Sequence, residues 1–421
     1  MIETITLFPG VNLRCYTDKR FKQGCLSFQL LRPMTEEEAA LNALLPAVLL
    51  RGTTGHPDIR AITDRLDDLY GASVGALVRR IGDYQTTGLH CSFIEDRFAL
   101  AGDAIFAPMA AFLQELLFDP VLEGEGFCRK FVEGEKKNLI ATIDSERNDK
   151  RAYASAQLLK SMCRADSYGV PRLGARERVA EITPEGLYRH YRQILKTSGI
   201  EIFYVGSVES AQVAKLLSPL LEDLERSYIP LPPQTGFHSV PGADLSEEMD
   251  IAQGKLAMGF VTEITNTSRQ FAAMQVMNTL FGGGMTSKLF MQVREKLSLC
   301  YSIGSGYYGS KGLLTVNAGI DTDKEPLVRQ EVLAQLEACQ QGAFSADELN
   351  AAKAAILSGL RGVTDSPGAI ENYYGTAVLS GLSMTVREYM AAVDAVTAEQ
   401  VMAAAQTVVF HSSFFLKGVT A

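Results

Sequence analysis

The feature that most constrains the fold is an internal repeat. Ile182-Thr-Pro-Glu185, a helix-start pattern, precedes the apolar run Ile200–Gly206, and Val396-Thr-Ala-Glu399 precedes Ser413–Gly418 in the same way. Ile182 and Val396 stand 214 residues apart, Gly206 and Gly418 212, and the helical stretches at Lys137 and Lys353 216. Three stations at nearly one period predict two copies of one domain. A length of 421 residues agrees, because a chain of that size outgrows one small core. Between the copies, residues 227–247 hold four prolines and two glycines with no hydrophobic period, the composition of a fairly stiff linker. The expected domains are residues 1–226 and 248–421, joined by 227–247.

Within each copy, hairpin-like strand pairs mix with helices. This predicts an α+β fold of two homologous domains, each a mainly antiparallel sheet covered by helices on one face. Residues 3–31 alternate as two or three strands around Pro9-Gly10 and Gly24. Thr35-Glu-Glu-Glu38 has the pattern of a capping box opening the first helix, whose stripe is Leu41, Leu44, Leu45, Val48 and Leu49. Pro46 lies inside that stripe and is expected to bend or break the helix.

Charge and cysteine usage exclude several functions. A net charge of −9 without a basic cluster argues against nucleic acid and anionic membranes as partners. The N-terminus lacks a signal-peptide pattern, and no apolar run approaches the ~20 residues of a membrane span. The seven scattered cysteines form no CxxC, which suits reduced thiols in a cytoplasm.

Phe281–Ser302, FGGGMTSKLFMQVREKLSLCYS, concentrates the functional signal. Gly282, Gly283 and Gly284 are expected to supply unusual turn angles, and Thr286 to cap a helix. Leu289, Phe290, Val293 and Leu297 would form that helix's buried stripe. Arg294 and Tyr301 could then meet on one rim of a cleft, where a guanidinium and a phenol suit a carbonyl oxygen or an oxyanion. The plain alternative is a solvated Arg-Glu-Lys face and a packed tyrosine.

A helix ending in Arg51-Gly-Thr53, with a mirrored second half carrying this glycine–Arg–Tyr signature, resembles the pitrilysin and mitochondrial-processing-peptidase family of zinc metallopeptidases. The resemblance spans essentially the whole chain and is strongest to short bacterial members that work as pairs. In active relatives the first helix carries His-x-x-Glu-His, two zinc ligands and the base that activates the bound water. The corresponding positions here are Ala43, Pro46 and Ala47, and the third-ligand position falls on Thr142, with an accompanying acid retained as Glu135. The five histidines (His56, His90, His190, His238, His411) include no pair closer than 34 residues, so no helix can offer two imidazoles to one ion. No cofactor and no metal are expected.

The resemblance implies that Arg294 and Tyr301 hold a substrate backbone, beside the glycine turn Gly282–Gly284. The expected role is a metal-free, non-catalytic subunit of a heterodimeric zinc metallopeptidase, with a zinc-bearing homologous partner and a peptide or unfolded segment as ligands. The isolated chain could also form a homodimer. The alternative is an inert scaffold or peptide-binding protein of the same fold, with a link to elongation factor P modification among bacterial relatives. An enzyme of another class has no motif to support it.

Overall fold

The computed structural model describes residues 2–419. These form two compact units, described separately below. Unit 1 contains Met1–Asp144, Val170–Gln234 and Thr364–Thr376, and unit 2 contains Ser145–Gly169, Thr235–Val363 and Ala377–Ala421. The units therefore differ from a cut at residues 227–247, because each holds a segment from the other half of the sequence. Apolar periodicity predicts a helix but not which sheet it will cover.

The sheet of unit 1 uses β1 (Ile2–Phe8), β2 (Val11–Thr17), β3 (Gln23–Pro33), β4 (Ser73–Ile81), β5 (Tyr84–Ile94) and β6 (Gly199–Gly206), in the order β1-β2-β6-β3-β5-β4. Unit 2 uses β7 (Asp244–Met249), β8 (Gly254–Val261), β9 (Ser302–Tyr308), β10 (Leu313–Ile320) and β11 (Val409–Gly418), in the order β9-β10-β8-β11-β7. Read from its β4 edge, the first sheet has the same connectivity as the second, with β1 added. The single parallel pair also recurs, β2 with β6 and β7 with β11. The helix–strand stations that suggested duplication are equivalent too. Thr183 caps the helix Pro184–Thr197 before β6, and Thr397 caps Ala398–Gln406 before β11. The chain is a duplicated α+β fold, two homologous domains with mainly antiparallel sheets.

Alternation in β3 explains how the first sheet packs. Leu26, Phe28 and Leu30 enter a core with Leu89, Cys91, Ile200, Ile202 and the helical residues Leu44, Leu45, Phe106 and Leu113. Ser27 and Gln29 face the opposite side and receive residues 364–376. In unit 2 the corresponding exchanged helix, Lys150–Met162, packs Leu158 and Met162 against Ala257, Leu313, Phe414 and Leu416. Among the described residues no helix is long and apolar enough to cross a membrane.

Two expectations for the first helix change. The helix Ala39–Leu49 runs through Pro46 without a break. Proline has no N–H to give the Asn42 carbonyl. That carbonyl instead accepts the Thr87 hydroxyl of β5 at 2.7 Å, so a buried acceptor stays satisfied. Thr35 closes only the turn ahead of the helix, its hydroxyl accepting the Glu38 N–H at 3.2 Å, and the helix itself starts at Ala39 without a side-chain cap. The reciprocal half of the box does not form, because the Glu38 carboxylate is held by Arg32, at 2.7 Å from Nε. Thr87→Val should leave the Asn42 carbonyl buried and unpaired and destabilise unit 1 by about 1–3 kcal/mol, measured by urea unfolding.

Candidate functional site

The first helix is where a zinc site of the resembling family would stand, and the residues present do not fit the ion. Ala43 and Pro46 are buried and Ala47 is half-buried, all without donor side chains. Thr142, exposed on the helix Arg129–Glu146, gives its hydroxyl to its own helix at Asn138 O, 2.9 Å away. Glu135 is buried, but its carboxylate is paired with the Arg51 guanidinium and also accepts Asn138 Nδ2 at 3.2 Å. No group of three or more His, Cys, Asp or Glu side chains able to hold a metal occurs among the described residues.

The Arg-Gly-Thr turn after this helix is a structural anchor. Arg51 neutralises Glu135. Gly52 leaves no room for a side chain, since a Cβ would lie 2.6 Å from the Pro57 carbonyl oxygen. Thr53 accepts the His56 N–H at 2.8 Å and donates to Glu115, which also meets His56 Nδ1 at 2.8 Å.

Beside the lost zinc positions lies a buried polar network. Asn42 donates through Nδ2 to Gln85 Oε1 at 2.9 Å, and its Oδ1 lies 2.7 Å from His190 Nε2. Burial pushes the His190 imidazole down to about 4 from its ordinary 6.5. The folded protein therefore refuses a proton that the unfolded chain accepts. The stability contributed by neutral His190 is fully present above pH 6.5 and is lost as pH falls toward 4. The loss is on the order of 3 kcal/mol. Unfolding curves across this window should show that slope, and a His190→Gln chain should show less of it.

In unit 2 the helix Phe271–Gly282 leads into the glycine turn. None of the three glycines has a positive φ. Gly282 and Gly283 are there for space, not for left-handed angles. A Cβ on Gly282 would meet Ser305 Oγ at 2.6 Å, one on Gly283 would meet the Thr279 backbone at 2.7 Å, and Gly284 faces open space. The capping hydroxyl is Ser287, 3.4 Å from the Phe290 N–H, and Thr286 is exposed.

The segment that follows, Leu289–Lys296, is π-helical. Its i→i+5 pattern closes with Leu297 N–H to Gln292 O at 3.0 Å. The wider turn splits the stripe expected of an α-helix. Leu289 and Val293 are buried, Phe290 is half-buried, and Leu297 is 45% exposed. Single π turns concentrate at functional sites. Ser298, directly after it, sits at φ 49°, a left-handed conformation that is costly for a side-chain residue.

Arg294 and Tyr301 flank that strained corner, and both are accessible. The Arg294 side chain is 42% exposed, and its guanidinium lies 4.7 Å over the Phe290 ring with Nε 3.7 Å from Glu295. Tyr301 is 55% exposed, and its backbone N–H donates to Gly319 O at 2.8 Å, joining the end of β10. The Tyr301 hydroxyl donates to Asp321 Oδ1 at 3.0 Å, and Lys324 holds Asp321 at 2.9 Å. Lys324 and then Tyr301 keep the Asp321 carboxyl below its ordinary range, and the carboxylate raises the Tyr301 phenol. Asp321 and Lys324 were not among the expected site residues. Their i, i+3 spacing looks like an ordinary helix-start pair, and nothing in the sequence ties them to Tyr301.

Comparison with known proteins identifies the family. A profile described as Peptidase M16 inactive domain matches residues 181–356. A Bacillus subtilis protein, "Probable inactive metalloprotease YmfF", is 30% identical over 409 residues, 97% of this chain and 96% of its own length. The chain belongs to the M16, or pitrilysin, peptidase family. With no ligand at the zinc positions, it is an inactive M16 homologue. An uncharacterised zinc protease of Streptomyces coelicolor is 26% identical over 298 residues, covering 68% of the M16 chain and 64% of its own. The crystal structure of a conserved Enterococcus faecalis protein superposes with a TM-score of 0.92 at 27% identity, over 100% of this chain and 99% of that one. An M16 inactive domain from Pseudomonas fluorescens shares the fold, with a TM-score of 0.82 at 18% identity, over 100% and 99% of the two chains.

Proposed function

We propose that this chain is the metal-free subunit of a two-chain zinc peptidase of the cytoplasm, and that Arg294 and Tyr301 hold the backbone of a peptide whose cleavage the partner performs. The observation that carries the reading is the contrast between the two sites. Non-ligating residues fill the zinc positions, whereas Arg294 and Tyr301 stand exposed on a strained π-helical corner. The hydrogen bond to Asp321 gives the pair a polarity. Tyr301 already donates its proton, so its oxygen offers lone pairs to a peptide N–H, while Arg294 offers N–H donors to a peptide carbonyl. One extended peptide unit presents both groups.

The test is reconstitution with a zinc-bearing M16 homologue from the same organism and an internally quenched, unstructured peptide. Cleavage should require both chains, with zinc bound only to the partner. Equal kcat/KM for the partner alone, or zinc and hydrolysis in this chain alone, overturns the proposal.

A second reading is a peptide-binding scaffold without proteolysis. It is favoured by the existing contacts of Tyr301 with Asp321 and of Arg294 with Phe290, which already give both side chains partners within the chain. Under that reading the added chain leaves the partner's cleavage unchanged.

A further inference from the structure

Each compact unit holds one segment from the opposite half of the sequence, and a buried ion pair fixes each segment. In unit 1, Glu371 of the helix Pro367–Ser380 is 3% exposed on the polar face of the sheet. Its Oε1 accepts Ser27 Oγ at 2.8 Å, Gln29 Nε2 at 2.9 Å and Arg79 Nη1 at 3.1 Å, and its Oε2 accepts Arg79 Nη2 at 2.7 Å. Gly375 permits the approach, since a Cβ there would lie 3.0 Å from Arg79 Nη1.

In unit 2, Asp166 pairs with Lys311 at 2.9 Å, with both side chains at most 1% exposed. Lys311 also donates to Thr235 O at 3.1 Å, and Asp166 accepts the Tyr168 N–H at 2.9 Å. The same exchanged segment covers Ala257, Leu313, Phe414 and Leu416, and Met162 occupies the space that a side chain at Gly259 would need.

We infer that the two halves of the sequence are obligate folding partners, and that a chain cut between them persists as a two-fragment complex clasped by these exchanged segments. Neither half contains a complete unit. Residues 1–236 alone would strand the Arg79 cation and the Ser27 and Gln29 side chains that Glu371 covers, and would expose the apolar stripe of Lys150–Met162. Residues 237–421 alone would bare the face around Leu313 and leave the buried Lys311 ammonium without its carboxylate, a strongly unfavourable state. The connection is itself bonded along its length. Ile229 N–H reaches Thr197 O at 2.9 Å, the Tyr84 hydroxyl reaches Pro232 O at 2.5 Å, and His411 Nε2 lies 2.8 Å from Val240 O. Gly236, exposed and with open space at its Cβ position, is the place to cut.

A site-specific protease sequence inserted after Gly236 in the full chain, with an affinity tag on the N-terminal fragment, tests this. After complete cleavage the fragments should co-elute at the position of the intact chain, and the tag should retain both. In the cleaved Glu371→Gln/Asp166→Asn protein, fragment dissociation should be faster by at least about tenfold. Should that double variant not fold before cleavage, Asp166→Asn alone serves, with the same expectation. Residues 1–236 expressed alone should show no cooperative urea transition by circular dichroism. Separation of the wild-type fragments on cleavage, a cooperative transition in 1–236 alone, or an unchanged dissociation rate in the variants would each overturn the inference.

Discussion

In the reconstituted pair, Arg294→Ala in this chain is expected to lower kcat/KM by roughly 30- to 900-fold, the equivalent of ~2–4 kcal/mol of lost transition-state binding. The magnitude follows from the donor's task. A guanidinium facing a peptide carbonyl gains most when that oxygen becomes an oxyanion, so kcat should fall more than KM rises. The fold should not change, because Arg294 is exposed and its contacts are the ring of Phe290 and a long approach to Glu295. Lys296→Ala, two residues on, controls for net charge and should leave the rate within about twofold. Tyr301→Phe removes the acceptor oxygen and the bond to Asp321 together, and it should lower the rate less than Arg294→Ala, by about 1 kcal/mol. An Arg294→Ala pair that cleaves at the wild-type rate removes the clamp from the mechanism.

The sequence carried most of the architecture and less of the site, for separable physical reasons. Duplication was legible because Thr183 and Thr397 cap equivalent helices before equivalent strands, a local signal that survives divergence. The exchange of Lys150–Met162 and residues 364–376 was not legible. The stripe of Leu158 and Met162 reports that the helix is covered, but the choice of sheet depends on long-range features such as the missing side chain of Gly259 and the charge of Lys311. The failure of Pro46 to break its helix came from Thr87, a residue 41 positions away that supplies the missing hydrogen bond. The π turn escaped for a similar reason. Leu289 and Val293 fit an α- or a π-helical face equally, and only the exposure of Leu297 distinguishes them. Loss of the zinc site, by contrast, depends on residue identity alone, and the side chains of Ala43, Pro46, Ala47 and Thr142 decide it without reference to the fold.

Lys311→Met should be among the most destabilising single changes outside the apolar cores, at about 3–5 kcal/mol. Both members of the Lys311–Asp166 pair are removed from water, with side-chain exposures of 0% and 1%. Deleting the ammonium removes the cation held against the carboxylate and leaves neutral N–H donors, the Tyr168 N–H at 2.9 Å and the His238 N–H at 3.4 Å, with the His238 ring at 3.3 Å, a weak replacement for a buried charge's counterion. The Thr235 carbonyl loses its Nζ partner in the same step. Because the cost arises mainly from the orphaned charge, Asp166→Asn added to Lys311→Met should recover a large part of it, although the pair as a whole has then been deleted. The chain has no tryptophan, so urea unfolding followed by far-ultraviolet circular dichroism is the appropriate measurement. A shift below 1 kcal/mol for Lys311→Met, or simple additivity in the double variant, would mean that water reaches Asp166 and that apolar packing of Leu158 and Met162 alone fixes the exchanged helix on unit 2.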